Sequence, residues 1–184
     1  QHHRRRNVRS SNRRGKKKIH GIHDLGGQMD LSKIYADNTK QNNEKDEMYT
    51  PDNAIAPLIK HLEGLDKEKI LIWECADTPN NDSNIASKLR EVGYKVITTS
   101  IHNGQDFLKT ETPDGVTHII TNPPFSVKES FIKSCFDRNL PFALLMPLAA
   151  LEGKVRVDMY IKNDIQLLCF DKRIKFVNKD GESM

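Results

Sequence analysis

The chain has 184 residues, of which 36% are hydrophobic and 29% charged, and its formal net charge is +4. This length suits one domain with a tail rather than two full domains. The longest apolar stretch, residues 141–151, is far shorter than the about 20 residues that a membrane-spanning helix needs, and no apolar segment follows the basic start as a signal peptide requires.

The first part of the chain differs sharply in charge from the rest. Residues 1–18 hold nine Lys and Arg and no acid, and residues 19–184 hold 20 basic and 25 acidic side chains. Residues 1–47, the basic arm and a polar linker, offer too little to bury to offset the entropy cost of ordering. We therefore expect a disordered arm that contacts nucleic-acid phosphates or is simply a solvated tail, followed by a domain over residues 48–184.

From Tyr49 onward the pattern predicts regular elements. Helices are expected at Asp52–Gly64, at Ser83–Val92, from a capping-box pair Ser126 and Glu129 that buries Phe131, Ile132, Cys135 and Phe136, and over residues 152–163. Short apolar runs predict strands at Ile70–Trp73, Tyr94–Thr99, Val116–Thr121, Phe142–Met146 and Ile165–Phe170.

This order of elements predicts an α/β fold. The strands are mostly continuous apolar runs, which is typical of strands covered by helices on both faces. We expect a doubly wound, mostly parallel, Rossmann-like sheet. Such sheets bind ligands at the carboxyl ends of their strands, so residues that directly follow a strand are the candidate site residues.

The three cysteines argue against a disulfide framework. Cys75, Cys135 and Cys169 are odd in number and each lies among apolar residues, which favours reduced thiols in a cytoplasmic protein. No pair has the spacing of metal ligands, and the histidines near the start lack companions, so no metal site is predicted. The start at Gln1 and the end at Met184 after a polar run raise the expectation of a piece cut from a longer protein.

The most informative motif follows the strand Val116–Thr121. Asn122, Pro123, Pro124 and Phe125 come directly after it and before a helix. Proline has no N–H and fixes its own φ, so this turn offers main-chain carbonyls and the Asn122 amide oxygen beside an aromatic ring. Such acceptors suit an exocyclic amino group whose base stacks on the ring, whereas a plain proline turn would only close the strand.

This turn resembles the catalytic motif of the S-adenosylmethionine-dependent methyltransferases that act on adenine N6. Residues 48–178 are similar in order to small phage and prophage adenine methyltransferases of the γ-type arrangement, including enzymes that act on DNA and enzymes that act on tRNA. The resemblance implies a cytoplasmic enzyme of a bacterium or phage-infected cell. Its cofactor is S-adenosylmethionine and its partner is nucleic acid, with DNA slightly favoured over RNA.

The resemblance also implies roles for individual residues. Asn122, Pro123, Pro124 and Phe125 correspond to the catalytic turn. The cofactor-binding residues that it implies are Tyr49, Thr50, Pro51, Glu74, Cys75, Ala76, Asp106 and Phe107. The loop at residues 74–83 departs from the family pattern because it contains no glycine.

Two alternatives remain open from the sequence. A relative that keeps the fold and binds nucleic acid without catalysis would share the basic arm and the glycine-free loop. An enzyme that methylates a protein glutamine amide would share the Asn-Pro-Pro-Phe turn. The sequence does not separate DNA from RNA and says nothing of the oligomeric state.

The charge of the arm leads to a first prediction. Deletion of residues 1–18 removes nine positive charges from a chain whose remainder is net negative, so nucleic-acid binding should weaken. The slope of log affinity against log salt should become shallower by about 0.9 for each duplex phosphate no longer neutralised, with S-adenosylmethionine binding unchanged. Salt titrations of the full and shortened chains measure this, and equal slopes would make the arm a passive tail.

Overall fold

The computed structural model describes residues 49–177, so the predicted basic arm lies outside the described residues. The described part contains four α-helices and four strands, which alternate along the chain except that β3 follows β2 with no α-helix between them. In chain order they are α1 (Asp52–Leu62), β1 (Leu71–Glu74), α2 (Asn84–Glu91), β2 (Lys95–Thr98), β3 (His118–Thr121), α3 (Lys128–Asp137), β4 (Phe142–Leu144) and α4 (Lys154–Asn163).

The four strands form one parallel sheet in the order β2-β1-β3-β4. Strands β1 and β3 are its central pair, with Ile72 opposite His118 and Trp73 opposite Ile119. The chain passes from β1 outward to β2, then returns across β1 to β3 and continues outward to β4. This order confirms the predicted α/β class and the parallel sheet, and it is compatible with Rossmann-like winding.

Apolar side chains cover both faces of the sheet. Ile72 and Ile120 face one cluster that also holds Ile55, Leu62, Ile85 and Leu89 from α1 and α2. Trp73 and Ile119, their neighbours in the strands, face a second cluster with Phe107 and with Phe131 and Cys135 from α3. Because successive strand residues point to opposite faces, the continuous apolar runs of the sequence become two buried layers.

The helix α2 begins as the sequence predicts. Ser83 is its N-cap, and the Ser83 hydroxyl accepts a hydrogen bond from the Ala86 N–H at 3.4 Å. The side chains of Ile85 and Leu89 are buried on the face toward the sheet. This cap fixes the loop between β1 and α2 against the end of β1.

The N-cap of α3 is Val127 rather than Ser126, the residue expected to open the helix. The Pro124 carbonyl accepts the Val127 N–H at 3.2 Å, which places Ser126 within a tight 3-10 turn ahead of the helix. Helix α3 starts at Lys128 without a side-chain cap. The Glu129 carboxylate accepts a hydrogen bond from Arg156 at 3.0 Å.

The strand expected at Ile165–Phe170 is also wrong. Asp164 ends α4 in the left-handed conformation with φ 45°, and the following run has no regular structure. Leu167 and Leu168 are exposed, and Cys169 is exposed rather than set among apolar neighbours. An apolar run predicts a strand only where a neighbouring strand is in register with it, and a run of residue types does not reveal that.

Arg138 ties the segment after β2 to the end of α3. Its guanidinium donates hydrogen bonds to Thr112 Oγ1 at 2.8 Å and to the carbonyls of Phe107 at 2.8 Å and Thr110 at 2.7 Å. The same group lies over the Phe107 ring at 4.6 Å from its centroid. One side chain therefore holds residues 107–112, which contain no strand or helix.

Replacement of Arg138 by Ala should lower the free energy of unfolding by about 3–4 kcal/mol, because bonds from a charged donor are lost and the Phe107 and Thr110 carbonyls lose their partners. Arg90→Ala is the matched control: its exposed guanidinium makes one hydrogen bond, to the Val96 carbonyl at 3.0 Å, and the loss should stay under about 1 kcal/mol. Urea denaturation measures both. Equal losses in the two variants would contradict a clamping role for Arg138.

Candidate functional site

A small cleft lies where the carboxyl ends of β1 and β3 meet. It encloses about 30 Å³ and is open to solvent on one side. The winding of the chain changes direction between these two strands, and in open α/β sheets ligands bind at such a point. The lining residues come from the segment before α1, the β1 loop, the start of α2 and the end of β3: Tyr49, Thr50, Glu74, Ala76, Thr78, Ser83, Asn84, Ile85 and Asn122.

Glu74, the last residue of β1, is buried with only 1% of its surface exposed. One carboxylate oxygen accepts hydrogen bonds from the Ala76 N–H at 3.1 Å and from the Thr121 hydroxyl. The other accepts from the Ser83 hydroxyl at 3.4 Å. The carboxyl is therefore fixed in position by donors from three different elements.

Burial dominates the protonation of this carboxyl. Desolvation raises the pKa of Glu74 to about 7, and the nearby charge of Asp77 adds to the rise, while the hydrogen bonds from Thr121, Ala76 and Ser83 oppose it. A carboxyl with such a pKa exchanges its proton near neutral pH. Perturbed groups of this kind are typical of functional sites.

Asn122 is the first residue after β3, and only one of the two polar atoms of its side chain has a hydrogen-bond partner. Its amide nitrogen donates a hydrogen bond to the Thr50 hydroxyl at 3.2 Å. Its amide oxygen is buried and has no hydrogen-bond partner. A buried acceptor without a donor costs about 1–3 kcal/mol, so the fold retains an acceptor at the cleft that its own donors do not satisfy.

Thr50 is held in turn by Asn84, which the sequence analysis missed. The Asn84 amide nitrogen donates to the Thr50 carbonyl and to the Asp52 carboxylate, each at 2.8 Å. Asn84 is the first residue of α2, directly after the Ser83 cap. A polar residue at the amino end of a helix that follows β1 is the one sequence signal that could have found it.

The rest of the Asn-Pro-Pro-Phe turn is rigid. Pro123 is fully buried. The Pro124 carbonyl accepts the Val127 N–H at 3.2 Å, and the Phe125 carbonyl accepts from the Lys128 ammonium at 3.1 Å. The expectation that the turn leaves its carbonyls free is therefore wrong for Pro124 and Phe125.

Two residues of the predicted cofactor side lie at the start of the described chain. Tyr49 lines the cleft, and its N–H donates to the Val177 carbonyl at 2.9 Å. Pro51 is the N-cap of α1 and does not line the cleft. Ala76, from the β1 loop, does line it.

The structure does not bring the other three predicted cofactor residues into the cleft. Cys75 points into the core, where burial raises the pKa of its thiol well above the usual range. Phe107 is 2% exposed and stacks on Phe131 with ring centroids 4.6 Å apart. Asp106 accepts a hydrogen bond from the Leu108 N–H at 3.0 Å and caps its own turn.

The chain was compared with protein-family models, curated proteins and solved structures. No protein-family model, curated protein or solved structure matches the chain. Within residues 49–177, no helix is both long and apolar enough to cross a bilayer. No group of three or more His, Cys, Asp and Glu in the same residues could hold a metal ion.

The protonation of Glu74 makes stability depend on pH. The unfolded chain releases this proton near the ordinary pKa of 4.5, whereas the folded protein keeps it until about pH 7. Between these values the folded state binds more protons, so its stability falls as the pH rises. The glutamine side chain of Glu74→Gln does not titrate. Its free energy of unfolding, compared with that of the wild type, should therefore rise by up to about 3 kcal/mol between the two pH values.

Urea denaturation of wild type and Glu74→Gln at several pH values from 4 to 8 measures this gain. The exposed Glu111→Gln controls for the loss of a carboxyl as such. If the Glu74→Gln and wild-type stabilities run parallel across this range, the buried carboxyl does not hold its proton as described.

Proposed function

We propose that this chain transfers a methyl group from S-adenosylmethionine to the N6 amino group of adenine in nucleic acid. The observation that carries the proposal is the buried, unpaired amide oxygen of Asn122, in an Asn-Pro-Pro-Phe turn at the carboxyl end of β3. An amino group carries the hydrogens that this oxygen lacks. The parallel sheet supports the proposal, because its switch point lies at the same place.

The residues of the cleft fit the cofactor in their chemistry. The cofactor has an ammonium group and hydroxyls, and the cleft offers the Glu74 carboxyl, the Thr50 and Ser83 hydroxyls and a small residue, Ala76. The enclosed 30 Å³ is well below the about 300–1,000 Å³ of usual ligand pockets, so most of the cofactor would lie on the open side. When bound, it would supply an electrophilic methyl group.

Asn122 does the main chemical work in this proposal. The adenine amino nitrogen is a poor nucleophile because its lone pair is delocalised into the ring. The Asn122 oxygen and the Pro123 carbonyl accept its two hydrogens, which favours a localised lone pair. The same acceptors stabilise positive charge that develops on the nitrogen, and preorganised acceptors of this kind are usually the largest catalytic contribution.

Thr50 has a positioning role. Its hydroxyl accepts the hydrogen bond from the Asn122 amide nitrogen, and Asn84 fixes the Thr50 main chain. If the amide rotated, nitrogen would replace oxygen at the reaction site and present donors instead of an acceptor. The two hydrogen bonds therefore hold the Asn122 side chain and the Thr50 main chain in place beside the cleft.

Phe125 would hold the base. Its ring is partly exposed beside the turn, and stacking of a base on an aromatic ring contributes about 1–3 kcal/mol. In a duplex the base must first leave the helix, which costs a few kcal/mol. Stacking on Phe125 would offset part of that cost.

The Asn122 acceptor alone does not separate adenine from a glutamine amide, since both present an NH₂ group. The nine unopposed positive charges of residues 1–18 favour a polyanion over a protein substrate. A non-catalytic relative would bind nucleic acid without S-adenosylmethionine, and calorimetric titration with that cofactor separates this alternative from the enzyme.

Asn122→Ala removes the free acceptor and should lower kcat for methyl transfer by about 10²–10³-fold, as loss of one preorganised polar contact does. The dissociation constant for S-adenosylmethionine should change little, because the variant keeps Glu74, Thr50 and Ala76. Transfer of a labelled methyl group to nucleic acid measures kcat, and calorimetry measures the dissociation constant.

Asn163→Ala is the matched control. Its amide nitrogen also donates one hydrogen bond, to the Met159 carbonyl at 2.7 Å, at the exposed end of α4. This variant should keep full activity. Wild-type kcat in purified, folded Asn122→Ala would overturn the mechanism.

A further inference from the structure

Residues 171–177, here called the C-terminal strap, lie against the candidate site. The Val177 carbonyl accepts the Tyr49 N–H at 2.9 Å in an isolated antiparallel bridge. The Phe176 ring meets the Phe125 ring edge-on, with centroids 6.3 Å apart. The strap is therefore held both to the segment before α1 and to the Asn-Pro-Pro-Phe turn.

Exposure alternates over residues 173–176 of the strap. Ile174 and Phe176 are partly buried, whereas Arg173 and Lys175 are exposed. This period of two is that of an extended chain with one face on the protein. The apolar side chains thus anchor the strap, and its basic side chains project to solvent.

The strap carries a net positive charge, with three basic residues and one acid. Among residues 49–177, the ion pairs involve neither Lys172 nor Arg173 nor Lys175. Asp171 is the single acid of the segment. Close by, the Lys128 ammonium donates to the Phe125 carbonyl, which adds one more cation at the turn.

The acid nearest to Lys128 in the chain is neutralised. Glu129 forms an ion pair with Arg156 at 3.0 Å, so it does not offset the charge of Lys128 or of the strap. A cationic edge therefore borders the Phe125 ring. Single-stranded nucleic acid is bound by this combination, a basic surface that follows the backbone beside an aromatic platform for bases.

We propose that Lys172, Arg173 and Lys175 form a phosphate-binding surface for the strand that carries the target base. The proposal rests on the proposed function for the identity of that base, and the surface itself rests on charge and position. Lys175 is the neighbour of Phe176, and Arg173 lies about 7 Å further along the extended strap. If a base stacks on Phe125, successive phosphates of the same strand would contact first Lys175 and then Arg173.

The test is a triple variant of the full chain, Lys172→Gln, Arg173→Gln and Lys175→Gln. The matched control, Lys60→Gln, Lys69→Gln and Lys95→Gln, removes the same charge from exposed positions before β1 and at the start of β2, at the opposite edge of the sheet. The probes are a short single-stranded DNA, an RNA of the same sequence and the duplex, each titrated at several salt concentrations.

The strap variant should bind at least tenfold more weakly, and the slope of log affinity against log salt should fall by about 2, as expected for three lost phosphate contacts. The control should keep the wild-type slope. Equal weakening of both variants would show a general charge effect, and unchanged binding of the strap variant would exclude the contact; either result overturns the proposal. Displacement of the DNA by a poly-glutamate peptide of equal charge at equal concentration would overturn the choice of nucleic acid.

Methyl transfer by the wild type keeps the two proposals apart. If the strap variant alone loses affinity while the wild type methylates no adenine, the surface stands and the proposed function fails. If the wild type methylates adenine and the strap variant binds with full affinity, the proposed function stands and the surface fails. Lys175→Gln alone, a change at an exposed position, repeats the measurement with the least effect on folding.

Discussion

Parallel pairing of β1 with β3 determines the candidate site. Trp73 opposite Ile119 sets the register, which brings the end of β1 beside the end of β3 and lets the Thr121 hydroxyl donate to Glu74. Chain connections leave this pair in opposite directions, so helices cover each face but leave the carboxyl edge open. A change in this register would move the Thr121 hydroxyl away from the Glu74 carboxylate that it contacts, and the site would lose this hydrogen bond.

Two buried polar groups that lower the stability of the fold lie at the carboxyl ends of β1 and β3. Burial keeps a proton on Glu74 up to about pH 7, and the Asn122 oxygen is buried without a donor. In the described residues, the other buried side-chain atoms without a partner are Asp77 Oδ2, on the adjoining β1 loop, and Arg138 Nε. Arg138 makes three other hydrogen bonds, all to the loop after β2, and serves the fold. The two unsatisfied acceptors therefore both lie at the β1–β3 edge, and each needs a partner that the donors of the fold do not supply.

Local pattern was enough to predict the α/β order, the helices within a few residues of their ends and the place of the Asn-Pro-Pro-Phe turn. It failed where the answer depended on distant contacts. Phe107 stacks on Phe131 in the core, and no sequence spacing tells a core aromatic from one that faces a ligand. The strand expected at Ile165–Phe170 lacks a partner in register. The strap depends on a bridge between Tyr49 and Val177, at opposite ends of the described chain, which no local window contains.

The central claim is that the free Asn122 oxygen accepts an adenine amino group. Its most direct test is the identity of the methylated product. The full chain is incubated with tritiated S-adenosylmethionine and, side by side, DNA, tRNA, rRNA and a glutamine-containing protein extract, and each is digested to nucleosides or amino acids. Label in N6-methylated adenine of one nucleic acid is the predicted result. Label confined to methylglutamine or to a nucleoside other than adenine, or no label although calorimetry shows the cofactor bound, would contradict the account.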